Sequence, residues 1–276
     1  MTFIAFLKKK VSKIYVPYII VVLVSALIPV MHTPECGNRI IAVLSHTFQF
    51  RIFSNMYFES FGGHWWYLGT LFQFYLLFCL LEKIMQKING GYLLLCAGIS
   101  IGYVICLAML RCENSLILSR LCFKYFLEFG AGMVVADAYL NGKLDKYRIN
   151  QWVTFFVGTI GVALLGLSSA SALGRLLNDV PGFVGILCLF YWLYRFDIKW
   201  INQLILWFGG ISFEWYLLHM LVFSCVFAIS NGTLKVDLIC AAVSLIIGCV
   251  INVALKKLLT ALLLSRSEGG QCEGTL

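Results

Sequence analysis

Two aromatic stretches of the chain, HWWYLGTLFQFYLLF (residues 64–78) and ISFEWYLLHMLVF (residues 211–223), hold its most chemically able side chains. In the second, Ser212, Tyr216, His219 and Phe223 recur at intervals of 4, 3 and 4, which places them on one face of a helix. An imidazole beside a phenol can act as a general base or a proton relay near neutral pH. The plain alternative is a neutral histidine bonded to a neighbouring helix, with a packing role. In the first stretch Trp66, Thr70 and Gln73 fall on one face, and His64, Leu68, Leu71 and Tyr75 on another. At about 100° per residue, His64 points roughly 180° away from Gln73 if both belong to one helix. The two share a pocket only if His64 lies in the turn before that helix, and the Gly62-Gly63 pair supplies the freedom for such a turn. Trp65 and Trp66 also fit the aromatic belt that marks a membrane–water interface.

Elsewhere, Lys124 and Glu128 are one helical turn apart, which predicts a structural ion pair with the lysine reaching outward and the glutamate lying deeper. No glycine-rich phosphate loop, nucleophile elbow or metal-ligand spacing occurs in the sequence, so no metal and no resident cofactor is expected. Most of the 11 cysteines lie in apolar runs and read as small core residues, while Cys36 and Cys112 lie in loops, where pairing stays open.

The elements that must position these residues follow from composition. Of the 276 residues 61% are hydrophobic and 12% charged, about half the charge of a soluble domain. There are too few charges to coat a soluble surface, so the expected fold is an all-α, polytopic transmembrane helical bundle in a lipid bilayer. A spanning helix needs about 20 apolar residues, and eight segments qualify: 14–31, 64–82, 92–110, 121–140, 151–169, 182–196, 203–229 and 236–262. Asn89-Gly90-Gly91, Asn141-Gly142-Lys143 and Asn231-Gly232 supply turns between them. The long connection 32–63 is polar enough to lie outside the lipid, and within it IIAVLSHTFQF could form an amphipathic surface helix. With the N-terminus inside, the inner loops carry twice as many of the 21 Lys and Arg as the outer ones, which predicts that both termini are cytoplasmic. His64 and His219 then fall in the outer half of the bundle. The basic, apolar start lacks a small-x-small cleavage site and reads as a retained helix. The net charge of +8 belongs to loop placement and says nothing of nucleic acid.

Three stretches, in this order, resemble the acyltransferase type 3 family of integral membrane enzymes. FLKKKVSKIYVPYII is similar to the family's basic segment before a proline-opened helix. HWWYLGTLFQFYLLF is similar to its His-x-Trp-aromatic-Leu helix, and ISFEWYLLHMLVF to its late Ser-x-x-x-Tyr-Leu-Leu-His helix. FLEFGAGMVVA loosely matches a glycine-bearing helix between them. The resemblance implies a single membrane domain that moves an acyl group, commonly acetyl, from acyl-CoA to a hydroxyl of a cell-surface polysaccharide or glycolipid. Carried over by position, it implies catalytic roles for His219 and His64 and substrate-binding roles for Trp66, Gln73, Tyr75, Ser212 and Tyr216. Family members have about ten spans, and an Arg/His pair in their first spans has no counterpart before Lys8. Leu71 stands where some members carry a glutamate. On that comparison the chain is expected to be shortened at its N-terminus and of little activity by itself. Two other readings follow from the same sequence: a carrier or flippase for a lipid-linked sugar, and an inactive remnant kept as a membrane partner. Carriers often contain an internal repeat, and the two halves here show no similarity.

Overall fold

In lipid a backbone amide has no water to turn to, so an apolar chain satisfies its peptide groups within helices. The structure is a computed structural model that describes residues 3–31, 37–112, 114–143, 149–196, 198–227 and 233–269. Helix dominates the described residues, and no strand occurs among them. The main helices are α1 (Phe3–Leu27), α2 (Arg39–Thr47), α3 (Trp66–Ile88), α4 (Tyr92–Met109), α5 (Phe126–Leu140), α6 (Gln151–Ser168), α7 (Asp179–Phe196), α8 (Lys199–Phe227) and α9 (Leu234–Gly269). His32, Cys36 and the Asn231-Gly232 turn lie outside the described residues.

Eight spans are expected from the sequence, and among the described residues five helices are long and apolar enough to cross a membrane: Gly63–Ile88, Tyr92–Met109, Gln151–Ser168, Lys199–Phe227 and Leu234–Ala254. The other three fall short for separate reasons. The apolar part of α1 is Lys13–Leu27. The segment expected over 121–140 opens with a 3-10 turn, Cys122–Tyr125, and leaves only 15 residues of α-helix in α5, about 22 Å of rise against a hydrocarbon core of about 30 Å. Helix α7 carries Asp179 and Pro181 in its first turn and Arg195 in its last, which dilutes its apolar content.

The chain forms two compact units. The first holds Ile52–Phe58 and Trp66–Gln203. Its core packs Phe74 and Leu81 of α3, Tyr92 and Cys96 of α4, Cys122, and Phe126 and Met133 of α5. Helices α6 and α7 meet backbone to backbone, because a Cβ at Gly161 would lie 2.6 Å from the Gly185 Cα and 2.6 Å from the Pro181 carbonyl oxygen. Lys124 does not reach outward to Glu128: it is 6% exposed, and its Nζ lies 2.6 Å from Asp179 Oδ2. Sequence spacing favoured Glu128, but burial of the ammonium selects a carboxylate brought in from α7.

The second unit holds residues Ile4–Arg51, Glu59–Trp65 and Leu204–Leu276. Helix α2 opens on Asn38, whose side chain accepts from Ile40 N at 2.8 Å and Ile41 N at 3.2 Å. Its amphipathicity is inverted relative to a soluble helix. Ala42, Ser45 and His46 are buried while Ile40 is 71% exposed, with Ile41, Leu44 and Phe48 also outward. Helices α8 and α9 are tied by Trp215 Nε1 donating to Ser244 Oγ (2.9 Å) and Asn252 Nδ2 donating to the Gly210 carbonyl (2.8 Å). Gly248 lets them approach, since a Cβ there would meet the Trp215 main chain at 3.3 Å.

The α6–α7 contact gives a matched pair of tests in one helix. Gly161→Ala should lower the thermal midpoint of the purified protein, an overpacking cost of about 1–3 kcal/mol. Gly166→Ala meets nothing within 4 Å and should leave the midpoint level or raise it. Equal midpoints for the two variants would show that the helices do not touch at Gly161.

Candidate functional site

His64 lies in the 3-10 turn Gly63–Trp65 that precedes α3, as the Gly62-Gly63 pair predicts. Two strained neighbours shape that turn. Phe61 has φ 58°, a left-handed conformation that costs a bulky residue about 1–3 kcal/mol and must be held by its surroundings. Its amide donates to the Met31 carbonyl at 3.0 Å and its ring is fully buried. Gly62 has φ 155°, and a Cβ there would stand 2.8 Å from His64 Cε1, so the backbone passes directly under the imidazole.

Trp65 locks the turn in place. Its ring is fully buried, its Nε1–H donates to the Leu217 carbonyl at 3.2 Å, and its own carbonyl accepts from Arg51 Nη2. The Tyr216 hydroxyl donates to the His64 carbonyl at 2.6 Å. Two hydrogen bonds thus seat the turn on consecutive residues of α8, one helical turn before His219.

The result is a face-to-edge pair of imidazoles. The rings of His64 and His219 lie 4.9 Å apart, centroid to centroid, at 71°, with the Tyr216 ring 5.6 Å from His64. His219 Nδ1 is 3.2 Å from the Trp215 carbonyl. A carbonyl only accepts, so Nδ1 carries the hydrogen and Nε2 of the neutral ring keeps a lone pair for an acidic proton. Neither His64 ring nitrogen has a hydrogen-bond partner, although both are shielded from solvent; the main chain of Tyr216 and Leu217 lies near the ring but outside hydrogen-bond geometry. A buried polar group in that condition costs about 1–3 kcal/mol, which the packing of the turn must offset.

The remaining expected residues divide. Tyr216 sits against His64, but its hydroxyl is committed to the turn. Ser212 shares the helical face by spacing, yet it is exposed and its hydroxyl donates to the Gly209 carbonyl at 3.1 Å. Trp66, Gln73 and Tyr75 belong to the other unit. There the Arg120 guanidinium lies 4.1 Å from the Trp66 ring, with Tyr125 stacked at 5.4 Å. Gln73 Oε1 accepts from Cys122 N at 3.1 Å, which makes it a tie between α3 and the start of the α5 segment. Tyr75 is half-buried on α3.

Spacing alone missed a second cluster. His46, expected in a watery loop, is 0% exposed. Its Nδ1 lies 2.6 Å from the Tyr18 hydroxyl and its Nε2 3.0 Å from Ser60 Oγ. The signal lay in the pattern of IIAVLSHTFQF: with Ile40, Ile41, Leu44 and Phe48 turned outward, His46 falls on the inner face. Burial, with Arg51 and His64 nearby, holds His46 well below the usual imidazole value of 6.5.

Long apolar helices with a histidine pair beside a glycine turn define an all-helical membrane protein with a candidate acid–base site. Residues 1–255 match the sequence profile of the acyltransferase type 3 family, described as an acyltransferase domain, and the chain belongs to that family. Among curated proteins and solved structures no match is found.

A depressed pKa for His46 has a fixed sign. The folded ring takes a proton less readily than the unfolded one, so the stability it contributes is complete above pH 6.5 and is lost as pH falls through the lower folded value. The thermal midpoint in detergent should therefore be flat above 6.5 and decline on acidification, and His46→Gln should make that decline shallower. An unchanged acid slope in the variant would place the proton uptake elsewhere.

Proposed function

We propose that the chain is a membrane-bound O-acyltransferase that moves an acyl group, acetyl in the first instance, from acyl-CoA to a hydroxyl of a cell-surface polysaccharide or glycolipid. Its membrane is the plasma or inner membrane, crossed up to eight times with both termini cytoplasmic, so a reporter fused after Gly142 is expected to read as cytoplasmic. The observation that supports the chemistry is the His64–His219 pair, 4.9 Å apart, with both His64 ring nitrogens unpartnered. In this reading the acceptor hydroxyl lies against Nε2 of His219. That nitrogen takes the hydroxyl proton as the oxygen attacks the thioester carbonyl carbon. The new C–O bond forms, the C–S bond breaks, and the departing CoA thiolate recovers the proton from the imidazolium. His64 orients the acceptor or the acyl oxygen, and Tyr216 holds the His64 segment rather than the substrate. The paired histidines supply a base and an orienting group for that transfer from this chain's own residues. The carrier reading keeps one support: Glu128, whose carboxylate has no partner among the described residues.

The test uses membranes containing the chain, acetyl-CoA labelled in the acetyl group, and a surface glycan. Label is expected in the glycan as a base-labile ester. His219→Ala should lower the rate by about 10²–10⁴ while the protein remains inserted. Glycan movement without ester formation would favour the carrier, and a His219→Ala rate equal to wild type would remove the proposed base.

A further inference from the structure

We propose that His46 is a positioning residue for His64, fixing the turn that runs from Ser60 to Trp65 through a hydrogen-bonded chain from Tyr18 to His46 to Ser60. Each member of the chain is at most 1% exposed, and the two bonds measure 2.6 Å and 3.0 Å. Both ring nitrogens of His46 are engaged, Nδ1 with the Tyr18 hydroxyl and Nε2 with Ser60 Oγ. A neutral imidazole donates at one nitrogen and accepts at the other, and a hydroxyl serves in either sense, so the chain is satisfied with the ring neutral.

The same ring touches two further residues of the turn. Phe61 lies 5.4 Å from it and Trp65 5.6 Å, the latter edge-on, and Tyr18 meets the Trp65 ring edge-on at 5.4 Å. One histidine therefore holds Ser60, Phe61 and Trp65, the residues that flank the close passage of Gly62 beneath His64. Phe61 is the residue that most needs holding, because its left-handed backbone does not persist unaided. Loss of the chain would let Phe61 relax to an ordinary conformation and swing the Gly62-Gly63 hinge, carrying His64 away from His219.

Ser60, His46 and Tyr18 also have the residue types of a nucleophile, a base and an orienting group. Their burial rules that role out here: a serine with 0% exposure offers no approach to a thioester or a sugar. The charged and titratable groups that face His46 are Tyr18 from α1, Arg51 from the segment after α2 and His64 from the turn. None is a carboxylate that would favour a charged ring.

The proposal rests on the transferase reading only for its kinetic consequence, so the experiment reads geometry separately. In bilayers, the rate at which diethylpyrocarbonate modifies His64 and His219 is followed by mass spectrometry. Ser60→Ala and Tyr18→Phe, each removing one hydroxyl, should raise the His64 rate about tenfold, the weight of one lost buried hydrogen bond. The His219 rate should not move, and Ser60→Thr should restore the wild-type His64 rate. In the glycan assay the same two variants should lower kcat about tenfold with KM nearly unchanged. If Ser60→Ala does not insert, Tyr18→Phe carries the test, since it keeps the ring and its packing. Unchanged His64 reactivity in an inserted variant overturns the proposal, as does a parallel rise at His219, which would report general loosening. Absence of glycan transfer from the wild type would sink the transferase reading alone and leave the modification rates to decide the positioning role.

Discussion

The arrangement around His64 depends on one hydrogen bond, from the Trp65 indole to the Leu217 carbonyl at 3.2 Å. Leu217 lies inside α8, where its carbonyl is already engaged in the helix and the indole comes as a second donor. The indole is fully buried and in lipid has no alternative partner, so leaving it unmet would cost about 1–3 kcal/mol. That constraint fixes the height of the turn along α8. The Tyr216 hydroxyl, bonded one residue away to the His64 carbonyl, removes the remaining freedom to rotate. His219 then stands opposite His64 because it is three residues beyond Tyr216 on the same face.

Behind the turn the second unit buries a polar and aromatic cluster, Arg51, His46, Ser60, Gln49 and Tyr18, beside the apolar Val21, Val22, Leu217 and Leu218. Buried polar side chains must find partners in one another. The first unit uses a different device. There the contacts of α6 and α7 come from glycines that let two backbones touch, so dispersion and main-chain packing take the place of burial from water.

Much of the site was legible in the sequence, and the reasons for the gaps are physical. The 4, 3, 4 spacing put Tyr216 and His219 on one face of α8, where both rings meet His64, and the two glycines placed His64 in the turn before α3. Spacing could not tell that Tyr216 would spend its hydroxyl on backbone, or that Ser212 would turn outward. His46 was hidden because hydropathy assigns the apolar face of α2 to the interior, whereas Ile40, Ile41 and Leu44 are the exposed residues and His46 the buried one. The Lys124–Asp179 pair was hidden because its partners are distant in sequence, while Glu128 is one turn away and competes on paper. The helical class followed directly from composition. Five of the eight expected spans are long, apolar helices among the described residues; a 3-10 turn at Cys122–Tyr125 shortens α5 and terminal charges dilute α7, local details that an apolar average smooths over.

The central claim is that His64 and His219 face each other. Solid-state nuclear magnetic resonance of the protein in bilayers, with carbon-13 and nitrogen-15 in its histidines, measures this directly. Ring signals are assigned by His64→Gln and His219→Gln. A through-space cross-peak between the two rings is expected, in keeping with centroids 4.9 Å apart. Rings that show no mutual cross-peak, with His64 instead in contact with bulk water or lipid chains, would contradict the account.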